Sequence, residues 1–533
     1  NGTGPTKISA DEIRFAGGLV KEQNQPFSAL GTVHVLGGRF VTADSAKVGE
    51  NLTLAGHFNA AADRARNVTS VKGNLAVETG DLLWGKFYGD LNSQKTSFDF
   101  DGDYRSDDDA IHLRRFTVRL AAIGNLDVTG SIEQLSKGAR VNLEAKSGDI
   151  QTGPAYAFFI RETFNRRYPS LNQLTTTGSL AFSVQARGAI DSLSAEGTVE
   201  LRNAEVRTDK TRFGPVELTL PFHIRLSDAS SQTAPASLPA GNLTMASARI
   251  GSETIGPIRT SVSLLNNRLQ FLQPITIPIY GGTIQISNLI WQDVIKDPRA
   301  VSLSIDTRNL QLERLTESLG WYRFGGTLAG SIPQVEWTET SLRSRGEIGI
   351  SVFGGRVQIG RMEIENPFSS IPSIKLDARF QDIDLDQASE TFAFGHISGI
   401  LEGTVSDLVI SAGQPSQFRA DLHTVDKRGS SQWISVEALN KITVLSSGND
   451  ASPLYGGLAG FFENFRYSKM GFKAVLRNDK LTLRGIESKD GKEYLVVGSV
   501  LPPTVNIISH TQEIGFSELV GRLARIAEKP ETH

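Results

Sequence analysis

Apolar and polar residues alternate with a period of two along most of this chain. Val71, Gly73, Leu75 and Val77 interleave with Lys72 and Asn74. Phe116, Val118 and Leu120 flank Thr117 and Arg119, and Val141, Leu143 and Ala145 flank Asn142 and Glu144. The same spacing returns at Leu180, Phe182 and Val184, at Val199 and Leu201, at Val301, Leu303 and Ile305, at Ile348, Ile350 and Val352, and at Leu481 and Leu483. Each run predicts a strand with one apolar and one polar face. Gly, Asn and Asp punctuate the runs at the short intervals that tight connections require. A few segments depart toward helix. Phe516, Leu519, Val520, Leu523 and Ile526 follow i, i+3, i+4, i+7 spacing, with Ser517 as the expected N-cap. Val436, Leu439, Ile442 and Leu445 predict a helix that starts at Ser435 and stops at Gly448. Short helical turns are expected over 312–319 and 385–392, and the Phe-rich stretch 154–168 also leaves the strand pattern.

The chain repeats itself. With an offset of 73 and no gap, residues 279–337 fall on 352–410, so that Ile279-Tyr280-Gly281-Gly282 meets Val352-Phe353-Gly354-Gly355, Leu303 meets Leu376, and Leu312 meets Leu385. Such repetition marks a unit that buries its apolar face only by stacking on a neighbour. The Gly-Gly pairs here and at Leu36-Gly37-Gly38 are read as tight corners into new strands. The expected organisation is an N-terminal β part over 1–227, a Ser/Ala/Pro-rich loop over 228–241, a repetitive β part over 242–510, and a C-terminal amphipathic helix over 511–533.

Composition narrows the function more than the fold. With 39% hydrophobic and 21% charged residues and 52 glycines, the 533-residue chain suits thin repetitive β-structure better than several thick cores. A net charge of −3 with interspersed signs gives no nucleic-acid footprint. There is no cysteine, which excludes thiol chemistry, thiolate metal sites and disulfides. Asn1, Asn51, Asn67 and Asn242 head sequons that are read as chance triplets. No apolar run reaches the roughly 18 residues of a membrane-spanning helix. The opening Asn-Gly-Thr-Gly reads as a processed end, so any anchor is expected upstream.

Catalytic signals are weak. The histidines are scattered, and neither Gly-Lys dipeptide precedes Ser or Thr as a phosphate loop requires. Asp99, Asp101, Asp103 and Asp107–Asp109 lack the glycine and glutamate positions of a calcium loop. Asp382, Asp384 and Asp386 have Asn309, Gln311 and Glu313 as repeat mates, so the repeated unit does not require the acids. No cofactor and no metal is expected.

Strands of this kind, about 4.8 Å apart, would number on the order of 35 to 40 and extend roughly 150–190 Å. The pattern predicts a mostly β protein: an elongated repetitive sheet curled into a long hydrophobic groove (a β-taco), with a few short amphipathic helices. An apolar lining binds acyl chains at about 0.8 kcal/mol per CH₂ removed from water.

The block 279–526 resembles the bacterial AsmA-like superfamily, closest to its YdbH-type branch. The resemblance rests on Gly281-Gly282 and Gly354-Gly355 with their strands, Ile383-Asp384-Leu385-Asp386-Gln387, Phe394-Gly395-His396-Ile397-Ser398-Gly399, Leu401, Gly403, Asp407-Leu408, Tyr494, and Ile514-Gly515-Phe516 leading to Leu523. Residues 1–278 match only in style. The resemblance implies a periplasmic protein tethered to the inner membrane by an upstream helix, with a β-groove that conducts phospholipid between the inner and outer membranes. On that reading no residue is catalytic. Ile284, Ile286, Val301, Leu303, Ile348, Ile350, Val357 and Ile359 line the groove, and an edge strand at Val505 and Ile507 adds a strand from a small outer-membrane-side protein by β-augmentation. The rival readings are an assembly factor that holds nascent outer-membrane polypeptide in the same groove, and a β-helical polysaccharide enzyme with a cleft around Asp382, Asp384 or Asp386.

Overall fold

A computed structural model describes residues 6–21, 27–85, 87–166, 168–209, 211–226, 239–250, 253–295, 297–318, 323, 325–337, 340–367, 369, 371–411, 414–427, 431–447, 463–500, 505–509 and 513–521. Leu523, Ile526, Gly448, Asn1 and all but residues 239–241 of the expected 228–241 loop lie outside this set. The described residues are predominantly β, with 36 strands and only short helices, as the alternation predicts. Residues 1–275 with 288–300 form one compact unit, and 276–287 with 301–533 form a second. Among the described residues no helix is long and apolar enough to cross a membrane.

In the first unit, long strands such as Phe27–Val41, Lys47–Asp63 and Val68–Trp84 pair antiparallel in sequence order. The ladder continues strand by strand to Thr211–Arg225, where two residues pair in parallel with 258–265. The Phe-rich stretch forms a turn of helix at Thr152–Tyr156, then a π-helix at Ala157–Arg161. Its Phe158 is buried with Val77, Leu91 and Ile123, and meets the Phe87 ring edge-on at 5.6 Å. Gly37-Gly38 is not a corner. Gly37 sits at φ 60 inside Phe27–Val41, where the register shifts between Val35 and Gly38. Glycine there makes a bulge, which takes the same left-handed backbone as a turn.

In the second unit, positions 73 apart share backbone geometry. Tyr280 and Phe353 both sit at φ 50, Gly281 and Gly354 at 72 and 66, and Asn309 and Asp382 at 53 and 58. Positive φ at two successive central residues is the primed turn that suits a hairpin's twist. Bulky residues rarely adopt it, and each aromatic is held by the helix of its own repeat. The Ser318 hydroxyl donates to the Tyr280 hydroxyl at 3.0 Å, and the Phe353 ring meets Phe392 at 5.9 Å. Those helices, Leu312–Ser318 and Leu385–Thr391, start and end at matching positions. The hydrogen bonds Gln311 N–H to Tyr280 O and Asp384 N–H to Phe353 O are mates as well, at 2.7 and 2.9 Å.

A Cβ on Gly282 would run into the Asn309 backbone, and one on Gly355 into that of Asp382. Gly282→Ala and Gly355→Ala are each expected to cost about 1–3 kcal/mol by overpacking. Urea midpoints would read the loss, and similar shifts are expected because the two environments match.

Toward the C-terminus, Ile397, Ile434, Leu439, Phe465, Val496 and Ile507 form a buried cluster under the Val436–Ser447 helix. The Tyr467 hydroxyl donates to Ser398 O at 2.6 Å, and burial pushes its pKa up. A short helix over 516–521 follows the strand Glu513–Gly515. Ser517 lies in its first turn, and the cap comes from a distant residue. Asp479 accepts the Ser517 N–H at 2.8 Å and the Ser517 hydroxyl at 2.7 Å. The hydroxyl, then the N–H, hold the Asp479 carboxyl below the usual carboxylate range. A depressed folded value means the stabilisation is present above the unfolded pKa and is lost as pH falls through the folded one. Amide protection over 516–521, corrected for intrinsic exchange, is therefore expected to fall on acidification, and Asp479→Ala to abolish that dependence.

Candidate functional site

Directly opposed residues in a ladder share a face, so the register gives the chemistry of each face. In the first unit one line across successive strands reads Gly31, Phe58, Gly73, Phe100, Phe116, Val128, Ala145, Val184, Gly197 and Phe222. The neighbouring line on the other face reads Thr32, His57, Asn74, Asp99, Thr117, Asp127, Lys146, Ser183 and Thr198. Glycines sit beside aromatics for a steric reason: a Cβ on Gly73 would stand 2.8 Å from the Phe100 ring, and one on Gly31 3.0 Å from that of Phe58. Phe58, Phe100, Phe116, Val128 and Val184 are only half-buried, so this apolar face remains accessible.

The second unit follows the same plan. One apolar line runs Leu328, Ile350, Val357, Phe380, Gly403, Leu422 and Phe472. A second runs Gly330, Ile348, Ile359, Ala378, Val405, Ala420, Ala474 and Leu483. Between them, on the opposite face, lie Gln358, Arg379, Thr404, Asp421, Lys473 and Arg484. Most of the apolar residues are half-buried, while Ala420 and Ala474 are buried where the C-terminal segment covers them. Register shifts stack in five successive pairings, at Ser331/Gln334, Ser344/Ile348, Ile359/Met362, Leu376/Ala378 and Ser406/Val409. A bulge bends its strand, so the aligned shifts crease this sheet along one line.

The residues expected to line a groove are distributed as follows. Ile348 faces Ile359 and Ile350 faces Val357 across one hairpin. Val301 and Leu303 face Trp337 and Val335. Ile284 and Ile286, the repeat mates of Val357 and Ile359, lie two apart on Gly282–Asp293. All eight are half-buried. Val505 and Ile507 are 4% and 3% exposed, with Ile507 opposite Val496. The alternation singles out Phe116 but not Phe58 or Phe100, and it does not show that the three fall on one line across strands. A sequence signal exists in Thr96–Arg105, where Phe98 and Phe100 lie two apart.

The acidic residues have structural partners. Asp384 caps its helix by accepting the Asp386 N–H at 2.9 Å, Asp386 approaches His396 Nδ1 at 2.7 Å, and Asp382 pairs with Lys427. Asp101 and Asp103 share Arg114, and Asp99 pairs with Arg119. In the second unit Glu336, Arg343, Glu363 and Lys375 alternate in sign across four strands, with Arg343 and Glu363 at 2.8 Å. Exposed pairs of this kind contribute little energy each, about 0–1 kcal/mol. They keep one face in water and so fix which face is apolar.

No curated protein and no solved structure matches this chain. The profile described as YdbH-like, intermembrane phospholipid transport protein YdbH, matches residues 22–333. That match begins far ahead of the block in which the family motifs were read and overlaps it over 279–333. Because it covers more than half of the sequence, the chain belongs to the YdbH-like family of intermembrane phospholipid transport proteins, which are carriers and not enzymes.

Proposed function

We propose that the apolar lines of each unit are the surface along which phospholipid acyl chains travel, with headgroups kept toward solvent. The observation that carries this reading is a sheet face that is apolar strand after strand, half-exposed, and backed by a charged face. A sheet normally buries its apolar face against another layer, and an acyl chain supplies the missing layer at about 0.8 kcal/mol per CH₂. Ile284, Ile286, Val301, Leu303, Ile348, Ile350, Val357 and Ile359 are the lining residues of the second unit. Membership in an intermembrane transport family supports a periplasmic location, and on this proposal the protein is tethered to the inner membrane. A small outer-membrane-side protein adds a strand near Val505 and Ile507. Since both side chains are buried, it would engage the backbone there.

The test is gentle purification followed by native mass spectrometry and organic extraction. Several phospholipids per chain are expected. A protein that carries only peptide would overturn the reading in favour of an assembly factor.

A further inference from the structure

The second unit contains a cavity of about 400 Å³ where its apolar lines reach the C-terminal segment. Leu422, Phe472, Ala474 and Leu483, all members of those lines, form its floor, and Ile514, Phe516 and Leu519 form part of its roof. None of the lining side chains is charged, and none carries an N–H or O–H group. The roof is fastened to Lys480–Gly485 and to the turn before it. Ile514 pairs with Leu481, the Phe516 ring meets Phe418 edge-on at 6.1 Å, and Asp479 holds Ser517.

We infer that this pocket is a receptor for one long acyl chain, entered from the apolar lines and roofed by residues 514–519 with Asp479 as the latch. The inference rests on the lipid reading above and adds to it a discrete terminal site. A concave, apolar pocket suits an apolar ligand, and this volume falls within the range of small-ligand pockets, about 300–1,000 Å³. A charged headgroup would find no partner inside, so the tail alone enters. The ligand is then either a free fatty acid or one tail of a phospholipid.

A pocket of limited depth and an open face differ in one measurable respect. On an open face, affinity climbs about fourfold with every methylene. In a pocket of limited volume it climbs and then levels once the pocket is full. The experiment uses the full chain stripped of lipid, with dansyl-undecanoate as the fluorescent probe and saturated fatty acids from octanoate to eicosanoate as competitors. Lysophosphatidylcholine and phosphatidylcholine form separate arms, to tell a free acid from a phospholipid tail.

The expected result is a plateau, shifted to shorter chains by Ala474→Leu and by Met470→Phe, with the longest competitors weakened about tenfold or more. Met470→Phe stands in should Ala474→Leu fail to fold. Asp479→Ala is expected to speed probe release several-fold with the number of sites unchanged. A series with no plateau, or a plateau that neither filling variant moves, overturns the cavity while leaving lipid binding on the open face intact. A native chain that binds no acyl chain in any arm overturns both readings.

Discussion

Replacing Ile348 by aspartate and Ile359 by lysine is expected to strip phospholipid from the second unit's apolar face. The two residues oppose each other on one face of a hairpin, so the new charges form a cross-strand pair and leave the hairpin itself intact. Bringing acyl chains over them is another matter. A charged side chain surrounded by hydrocarbon costs about 2.5–3.5 kcal/mol on insertion scales, roughly a hundredfold in occupancy for each charge that the lipid must cover. Phospholipid per chain after gentle purification, or transfer of a fluorescent phospholipid from vesicles, would read the loss. Gln358→Asp is the matched control, because Gln358 lies between the two lines on the opposite face, across from Arg379. It is expected to change nothing. An equal loss from Gln358→Asp would mean that a new charge on either face abolishes binding, and the lipid path would have to lie elsewhere.

The second large effect concerns stability. Phe465 is 0% exposed and opposes Ile434, which is also 0% exposed. Their cluster gathers residues from Ile397 to Ile507, over a hundred positions of sequence. Phe465→Ala is expected to cost about 3–5 kcal/mol, the transfer free energy plus the cavity left behind. Hydrogen exchange should show the loss concentrated in Trp433–Ser435, Asn464–Arg477 and Lys492–Gly498. Strands of the first unit should keep their protection, since Phe465 belongs to the other unit. Uniform deprotection of both units would contradict this and would mean that the chain unfolds as one cooperative block.

Much of this was legible in the sequence because strand alternation is local. Val141, Leu143 and Ala145 fall in Arg140–Ser147, and Leu180, Phe182 and Val184 in Thr175–Ala189. Sequence spacing also placed the helices at Leu312 and Leu385, since a 73-residue offset needs no knowledge of pairing. What stayed hidden depends on partners. Alternation places Ile348 and Ile359 each on a face but does not say that they oppose each other, since a one-residue slip would exchange the faces. The stacked register shifts are invisible for the same reason: a bulge is a mismatch between two strands, not a property of one. Gly37-Gly38 looked like a corner because a bulge and a turn use glycine alike. Ser517 looked like a cap because the true cap, Asp479, is 38 residues away.

The lines of equivalent aliphatic side chains have a kinetic consequence. A tail lying across Ile348, Ile359, Ala378 and Val405 can advance one strand, about 4.8 Å, and exchange one set of neighbours for another of nearly equal worth. With no polar side chain on that line to act as a stop, each step changes the free energy little. On the proposed lipid path the surface would act as a low-friction track, with direction set by supply and withdrawal at the ends.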